Sequence, residues 1–324
     1  MKKVFGIAGL LFAVVVFTAV MSGQPDGSNT FLSAYNLENL AQRIGMFGIL
    51  SVAAAFVIVT GGIDLSIGSV VCVAGCLLSW LLRDLGWSSF LALPAVLLLS
   101  AAIGLWHGLL VVGLRLQPFV VTLCGLLLYR GLMREFTKDQ IMGFGDTAEG
   151  LRFLATGRVP VTDAFGIPVT AIALLVVAAL TALLWNKTVA GRHLFATGRN
   201  EEAARFSGVA TGRLTVLAYV ACSLLAGFAG VLFVLYVNSA QASSAGSFYE
   251  LYAIAGAVLG GVALRGGEGT VIGVLLGAAL MQVLANAINL LGDSNRLEFA
   301  VVGAVILAGA AADEGVRRLF RRRR

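Results

Sequence analysis

Ten stretches of this chain carry no Asp, Glu, Lys or Arg and are mostly apolar: residues 4–21, 44–63, 65–82, 85–114, 116–129, 164–186, 214–249, 251–264, 269–292 and 299–312. A helix needs about 20 such residues to cross a bilayer, and most of the runs reach or approach that length. Runs 116–129, 251–264 and 299–312 have only 14 residues each, so they are expected to tilt into the bundle or to set charged ends against protein or water. The first run follows Lys2 and Lys3 and is not closed by a small-x-small cleavage pattern. It reads as a spanning helix rather than a signal peptide. The pattern predicts an all-α polytopic membrane bundle of about ten transmembrane helices, forming one transmembrane domain over residues 1–324.

Composition agrees with that reading. Hydrophobic residues make up 59% of the 324 and charged residues 12%, with a mean hydropathy of +0.93, which excludes an ordinary soluble domain. Cys72, Cys76, Cys124 and Cys222 all fall in apolar runs without metal-site spacing and read as small hydrophobes. The net charge of +6 is matched by six arginines at the end, Arg317, Arg318 and Arg321 to Arg324. A juxtamembrane cationic anchor explains them without a nucleic-acid partner.

With both termini on the cytoplasmic side, inner segments hold 15 of the 23 Lys and Arg and outer segments hold eight, the expected sign of bias. Two loops stand out. Residues 130–167, on the outer side, mix charges with glycine and Pro160 and suit a solvated cap or docking surface. Residues 187–213, on the inner side, contain Asn200 as an N-cap, Glu201 and Glu202 in a first turn, and Gly208 as a stop, which predicts a short exposed helix.

Catalytic apparatus is nearly absent from the sequence. The histidines are His107, following Trp106 in an apolar run, and His193 in the basic inner loop; His107 reads first as a packing residue and second as a proton carrier. No phosphate-binding glycine loop precedes Lys187-Thr188, so a motor driven by ATP would have to be another polypeptide. No cofactor is expected in this chain.

The stretch Thr60-Gly61-Gly62-Ile63-Asp64-Leu65-Ser66-Ile67-Gly68-Ser69 places a carboxylate and three glycines between apolar runs, where a helix can break and an ionised group needs a partner or a task. Glu250-Leu251 opens a later run in a similar way, suggesting two related halves. Asp64 and Glu250 each read as an N-cap, as a partner for an arginine such as Arg115 or Arg265, or as a latch lining a pathway.

These segments resemble permease subunits of bacterial ABC importers for monosaccharides such as ribose, xylose, arabinose and galactofuranose. Gly61 to Ser69 is similar to the family's Gly-Gly-Ile-Asp-Leu-Ser-Val-Gly-Ser, and Gln117 to Leu123 with Arg130-Gly131 to its Pro-Phe-Ile-x-Thr-Leu and Arg-Gly segment. Phe195 to Gly208 resembles its Ala-x-Gly-Gly-Asn-x-x-Ala-Ala-x-x-Ser-Gly stretch, and Tyr249 to Ala255 with Gly260-Gly261 its Tyr-Glu-Leu-Asp-Ala-Ile-Ala and Gly-Gly pattern. Tyr252 stands where the family usually has aspartate and Arg199 where it often has glycine.

The resemblance implies a bacterial inner-membrane protein that pairs with a second permease copy or paralogue, binds cytoplasmic ABC ATPase subunits carrying the ATP, and receives sugar from a periplasmic binding protein. Arg199, Asn200, Glu201, Glu202, Ala203 and Gly208 are then the expected ATPase-coupling residues. Gly61, Gly62, Asp64, Ser66, Gly68 and Glu250 are the expected gating or pathway residues. A branched-chain amino-acid permease and an ion-coupled secondary transporter using Asp64, Glu250 and His107 are the alternatives.

Overall fold

The computed structural model describes residues 2–24, 29–145, 147–162 and 165–291, with residues 300, 303, 304 and 307. Most of the run 299–312 and all six terminal arginines lie outside the described residues, as does any placement of the C-terminus. The first five helices are α1 (Lys2–Met21), α2 (Ala34–Val59), α3 (Ile67–Arg83), α4 (Ser89–Gly113) and α5 (Pro118–Thr137). A small lobe follows: β1 (Met142–Gly143), α6 (Glu149–Thr156), β2 (Arg158–Thr162) and β3 (Phe165–Pro168). The chain continues through α7 (Val169–Lys187), α8 (Val189–Arg199), α9 (Glu201–Phe206), α10 (Thr211–Val237), β4 (Ser239–Ala240), α11 (Tyr249–Leu259) and α12 (Val271–Leu291).

Among the described residues, six helices are long and apolar enough to cross a membrane: α1, α2, α4, α7, α10 and α12. The run 251–264 yields only the 11 residues of α11, and α3 has 17, both short of a full crossing. The run 116–129 errs the other way. Its helix α5 continues through Arg130 and Arg134 to Thr137, so the expected loop 130–167 starts later, at Lys138.

Helix α2 is the centre of the bundle. Every residue from Gly45 to Val59 is buried, as expected for a helix that is apolar all round. It packs against α7, α10, α11 and α12, while α10 adds contacts to α3 and α4. Small residues at the contacts, among them Gly45, Ala53 and Ala54, allow the close backbone approach that substitutes for a hydrophobic driving force in lipid.

The lobe between α5 and α7 is fastened to the start of α2. Buried Glu38 ion-pairs with Arg158 and accepts a hydrogen bond from the Gly166 N–H at 2.7 Å, and Gln42 donates to the Ala155 carbonyl at 2.6 Å. The β2–β3 hairpin is antiparallel, and β1 pairs with β4 through Met142 and Ala240. The loop predicted to be a solvated cap is thus a structured cap with buried polar anchors.

Candidate functional site

Two helix ends share one motif. At the end of α2, Gly61 has φ +86°, its N–H donates to the Ile58 carbonyl at 2.9 Å, and the Gly62 N–H donates to Val57 at 3.1 Å. At the end of α11, Gly261 has φ +89°, its N–H donates to Val258 at 2.8 Å, and the Val262 N–H donates to Ala257 at 3.1 Å. Both are Schellman caps, whose left-handed residue favours glycine. The structural counterpart of the break at Gly61 is therefore Gly261, whereas Glu250 sits in the first turn of α11.

The first break, residues 60–66, is held by side chains. Asp64 is 2% exposed, and its Oδ1 accepts from the Ser66 N–H at 2.8 Å and the Ser66 hydroxyl at 2.6 Å. The Ser66 hydroxyl makes no cap bond to α3, so the Asp64 carboxylate shapes the entry to that helix. His107 of α4, 1% exposed, places Nδ1 at 3.5 Å from the Ser66 hydroxyl and Nε2 at 2.8 Å from the Tyr129 hydroxyl of α5.

Because Ser66 commits its proton to Asp64, the His107 tautomer that completes the chain is protonated at Nδ1 and accepts from Tyr129. Thr122 of α5 donates to the Ile63 carbonyl at 3.1 Å. Asp64 makes no salt bridge with Arg115 or Arg265 among the described residues, and its Oδ2 is buried without a hydrogen-bond partner. The buried Cys222 thiol of α10, a weak donor, stands beside the carboxylate.

Glu250 meets this region from the other side. The Glu250 carboxylate and the Gly246 carbonyl lie so close to Gly68 that a side chain there would collide with both. The start of α11 is thereby set against the start of α3. Arg130 of α5 fixes the preceding turn, donating to the carbonyls of Ala242 at 3.1 Å and Ala245 at 2.8 Å.

The turn that follows α11, residues 260–270, reaches the predicted coupling segment. The Gly267 N–H donates to Val59 O, the last α2 carbonyl, at 2.9 Å. Gly198 near the end of α8 is pressed against that same carbonyl and the Gly267 amide. Where one helix is expected there are two: Thr188 caps α8 by accepting from the Gly191 N–H at 3.0 Å, and Asn200 caps α9 by accepting from the Ala203 N–H at 2.9 Å. Arg199, Asn200, Glu201, Glu202, Ala203 and Gly208 are all exposed, and Gly208 has φ +82°. Of the gating candidates, Gly62, Asp64, Ser66, Gly68 and Glu250 are buried while Gly61 is exposed.

Sequence reasoning missed a cavity of about 270 Å³ between α2, α10, α11 and α12. Its walls include Arg43, Phe47, Phe233, Tyr249, Tyr252 and Gln282. Phe47 is central, with ring centroids 5.0 Å from Phe233, 4.9 Å from Tyr249 and 5.6 Å from Tyr252. The available signal was the pairing of aromatics three apart, Phe233 with Tyr236 and Tyr249 with Tyr252, a spacing that puts both on one helix face. Among the described residues no group of His, Cys, Asp and Glu could hold a metal ion.

Comparison with known proteins bears on the whole chain. A family model described as branched-chain amino acid transport system / permease component matches residues 36–310. The ribose import permease protein RbsC of Escherichia coli strain K12 is 35% identical over 94% of this chain and 92% of its own length. RbsC of Bacillus subtilis strain 168 is 34% identical over 97% and 93% respectively. The galactose/methyl galactoside import permease protein MglC of E. coli K12 is 32% identical over 94% and 93%. No solved structure matches the chain.

Proposed function

The chain belongs to the family of transport-system permease components, and we propose from that premise that it is the membrane subunit of an ATP-driven, binding-protein-dependent importer of a monosaccharide. The observation that carries the reading is the similarity, over more than nine-tenths of the chain, to permeases named for ribose and galactose import. The protein is a multi-pass inner-membrane protein with several apolar spanning helices. Its permease domain covers the chain, both termini face the cytoplasm, and α2–break–α3 and α11–break–α12 are counterparts in two related halves. It works beside a second permease copy or paralogue. No cofactor binds it; ATP is bound and hydrolysed on separate ATPase subunits, and a periplasmic protein delivers the sugar.

The contacts support a route for coupling. Arg199, Asn200, Glu201, Glu202, Ala203 and Gly208 form the ATPase-docking face. A push on α8 and α9 meets the Val59 carbonyl and the Gly267 amide directly through Gly198. Helix α11, about 16 Å long at 1.5 Å per residue, then carries displacement from the second break to Glu250 and Gly68. Gly61, Gly62, Asp64 and Ser66, the gating or pathway candidates, form the capped anchor at the other side of that contact.

The test is uptake by cells lacking their own carriers and expressing this chain with its ATPase and binding protein. D-ribose or D-galactose should accumulate, stop when the ATPase loses its ATP site, and persist with an uncoupler. Uptake of L-leucine alone assigns the amino-acid class named by the family model. Sugar uptake that needs no ATPase and collapses with an uncoupler assigns an ion-coupled carrier.

A further inference from the structure

We propose that the cavity between α2, α10, α11 and α12 is a weak binding subsite for a neutral monosaccharide on its way through this subunit, an inference that rests on the sugar-import reading. At about 270 Å³ the cavity falls just below the roughly 300–1,000 Å³ of pockets for drug-sized ligands, so it suits one small molecule. Its walls combine the rings of Phe47, Phe233, Tyr236 and Tyr252 with the polar side chains of Arg43, Ser247 and Gln282. Rings present apolar faces to the C–H face of a sugar, while a few placed polar groups orient its hydroxyls.

Gln282 is the independent sign that something polar belongs here. It is 2% exposed, and its Oε1 is buried without a hydrogen-bond partner, a state that costs free energy unless a donor arrives. A sugar hydroxyl is such a donor. No carboxylate lines the cavity to hold the ammonium of a free amino acid, and Arg43, which only donates, serves sugar hydroxyl oxygens as readily as a carboxylate, so the choice of a neutral sugar follows from the import reading. Tyr249 and Tyr252 at the start of α11 line the cavity, and the turn that follows α11 bonds Val59 O through the Gly267 N–H beside Gly198 of α8. Occupancy is thereby placed at one end of the element proposed to transmit the power stroke.

The experiment uses the full chain twice. Purified protein in lipid nanodiscs is probed with D-ribose, D-galactose and L-leucine by saturation-transfer NMR, and the complete importer is assayed for uptake in cells. Expected are transfer from the protein to sugar C–H protons, at least a fivefold weakening of binding in Gln282→Leu, and a raised uptake KM at unchanged ATPase association. Tyr236→Ala provides a second variant, because Tyr236 is 38% exposed and its truncation leaves the core intact; it too should raise KM.

If cells import sugar and both variants bind and transport as the unaltered chain does, the subsite is wrong and the import reading stands. If the purified chain contacts L-leucine but neither sugar, the subsite is overturned. If the complete importer moves no sugar, the import reading fails and the subsite with it.

Discussion

The two helix breaks end in the same cap yet are secured by different means. Residues 60–66 hang from buried side chains: Asp64 on Ser66, His107 between Ser66 and Tyr129, Thr122 on Ile63. Residues 260–270 are fastened through backbone groups, the Ala263 N–H to Glu268 O at 3.0 Å and the Gly267 N–H to Val59 O at 2.9 Å, with Leu264, Arg265 and Glu268 exposed. Unmaking a buried polar network strands donors and acceptors at a cost of about 1–3 kcal/mol per group. Unmaking the exposed tip of the second break lets water take the place of the Ala263 and Glu268 partners, and of the two bonds only that of Gly267 reaches a buried residue, Val59. The first break is built as an anchor and the second as a latch, and the latch lies against α8.

The largest effect expected from this contrast is at the latch. Gly198→Val would drive a branched side chain into the Val59 carbonyl and Gly267 amide. Uptake should fall at least tenfold at normal membrane abundance; normal uptake would show that α8 does not act through this contact. Next comes the anchor. Asp64→Ala leaves the Ser66 N–H and hydroxyl without their acceptor and should lower the stability of the purified chain by about 2–3 kcal/mol, read by thermal unfolding. Arg265→Ala, at an exposed position of the latch, should stay within about 0.5 kcal/mol. Equal losses at the two sites would erase the distinction.

Sequence alone located the break after Thr60, because a glycine pair between apolar runs is hard to place inside a helix; at Gly260-Gly261, inside the run 251–264, it offered only a likeness to a family pattern. The Asn200 cap was equally local, its side chain bonding three residues ahead. What escaped depended on distant partners. Counting charges ended a span at Tyr129, yet Arg130 continues α5 because the carbonyls of Ala242 and Ala245, over a hundred residues away, receive its guanidinium. The run 214–249 hides the end of α10 at Asn238, φ +61°, since no charge marks that turn. Matching Asp64 to Glu250 followed residue type, whereas backbone conformation matches Gly61 to Gly261. His107 read as packing, and its hydrogen bonds became visible only with α3 and α5 in place.

The shared cap offers a finer test. Gly61→Ala and Gly261→Ala each force a side chain into the left-handed region, at about 1–2 kcal/mol, and φ values of +86° and +89° predict nearly equal losses. Parallel thermal unfolding checks this. A gap beyond about 1 kcal/mol would mean that one break is strained or supported in a way the other is not.

The smallest effect belongs far from either break, at the end of α5, where Lys138 and Asp139 have φ +53° and +55°. The fork of Arg134 donates from Nε at 3.0 Å and from Nη2 at 2.7 Å to Asp139 Oδ2. Hydrogen bonding from Arg134, then its charge, holds the Asp139 carboxyl below the usual carboxylate range. A depressed native value means the contribution is present at neutral pH and fades as pH falls through that value. Exposed to water and salt, the pair contributes little, and asparagine tolerates the left-handed backbone. Asp139→Asn should therefore leave thermal unfolding at pH 7 almost unchanged and flatten only the acid limb of a pH series. If it destabilises the chain as much as Asp64→Ala does, burial is not what separates an anchoring carboxylate from a peripheral one.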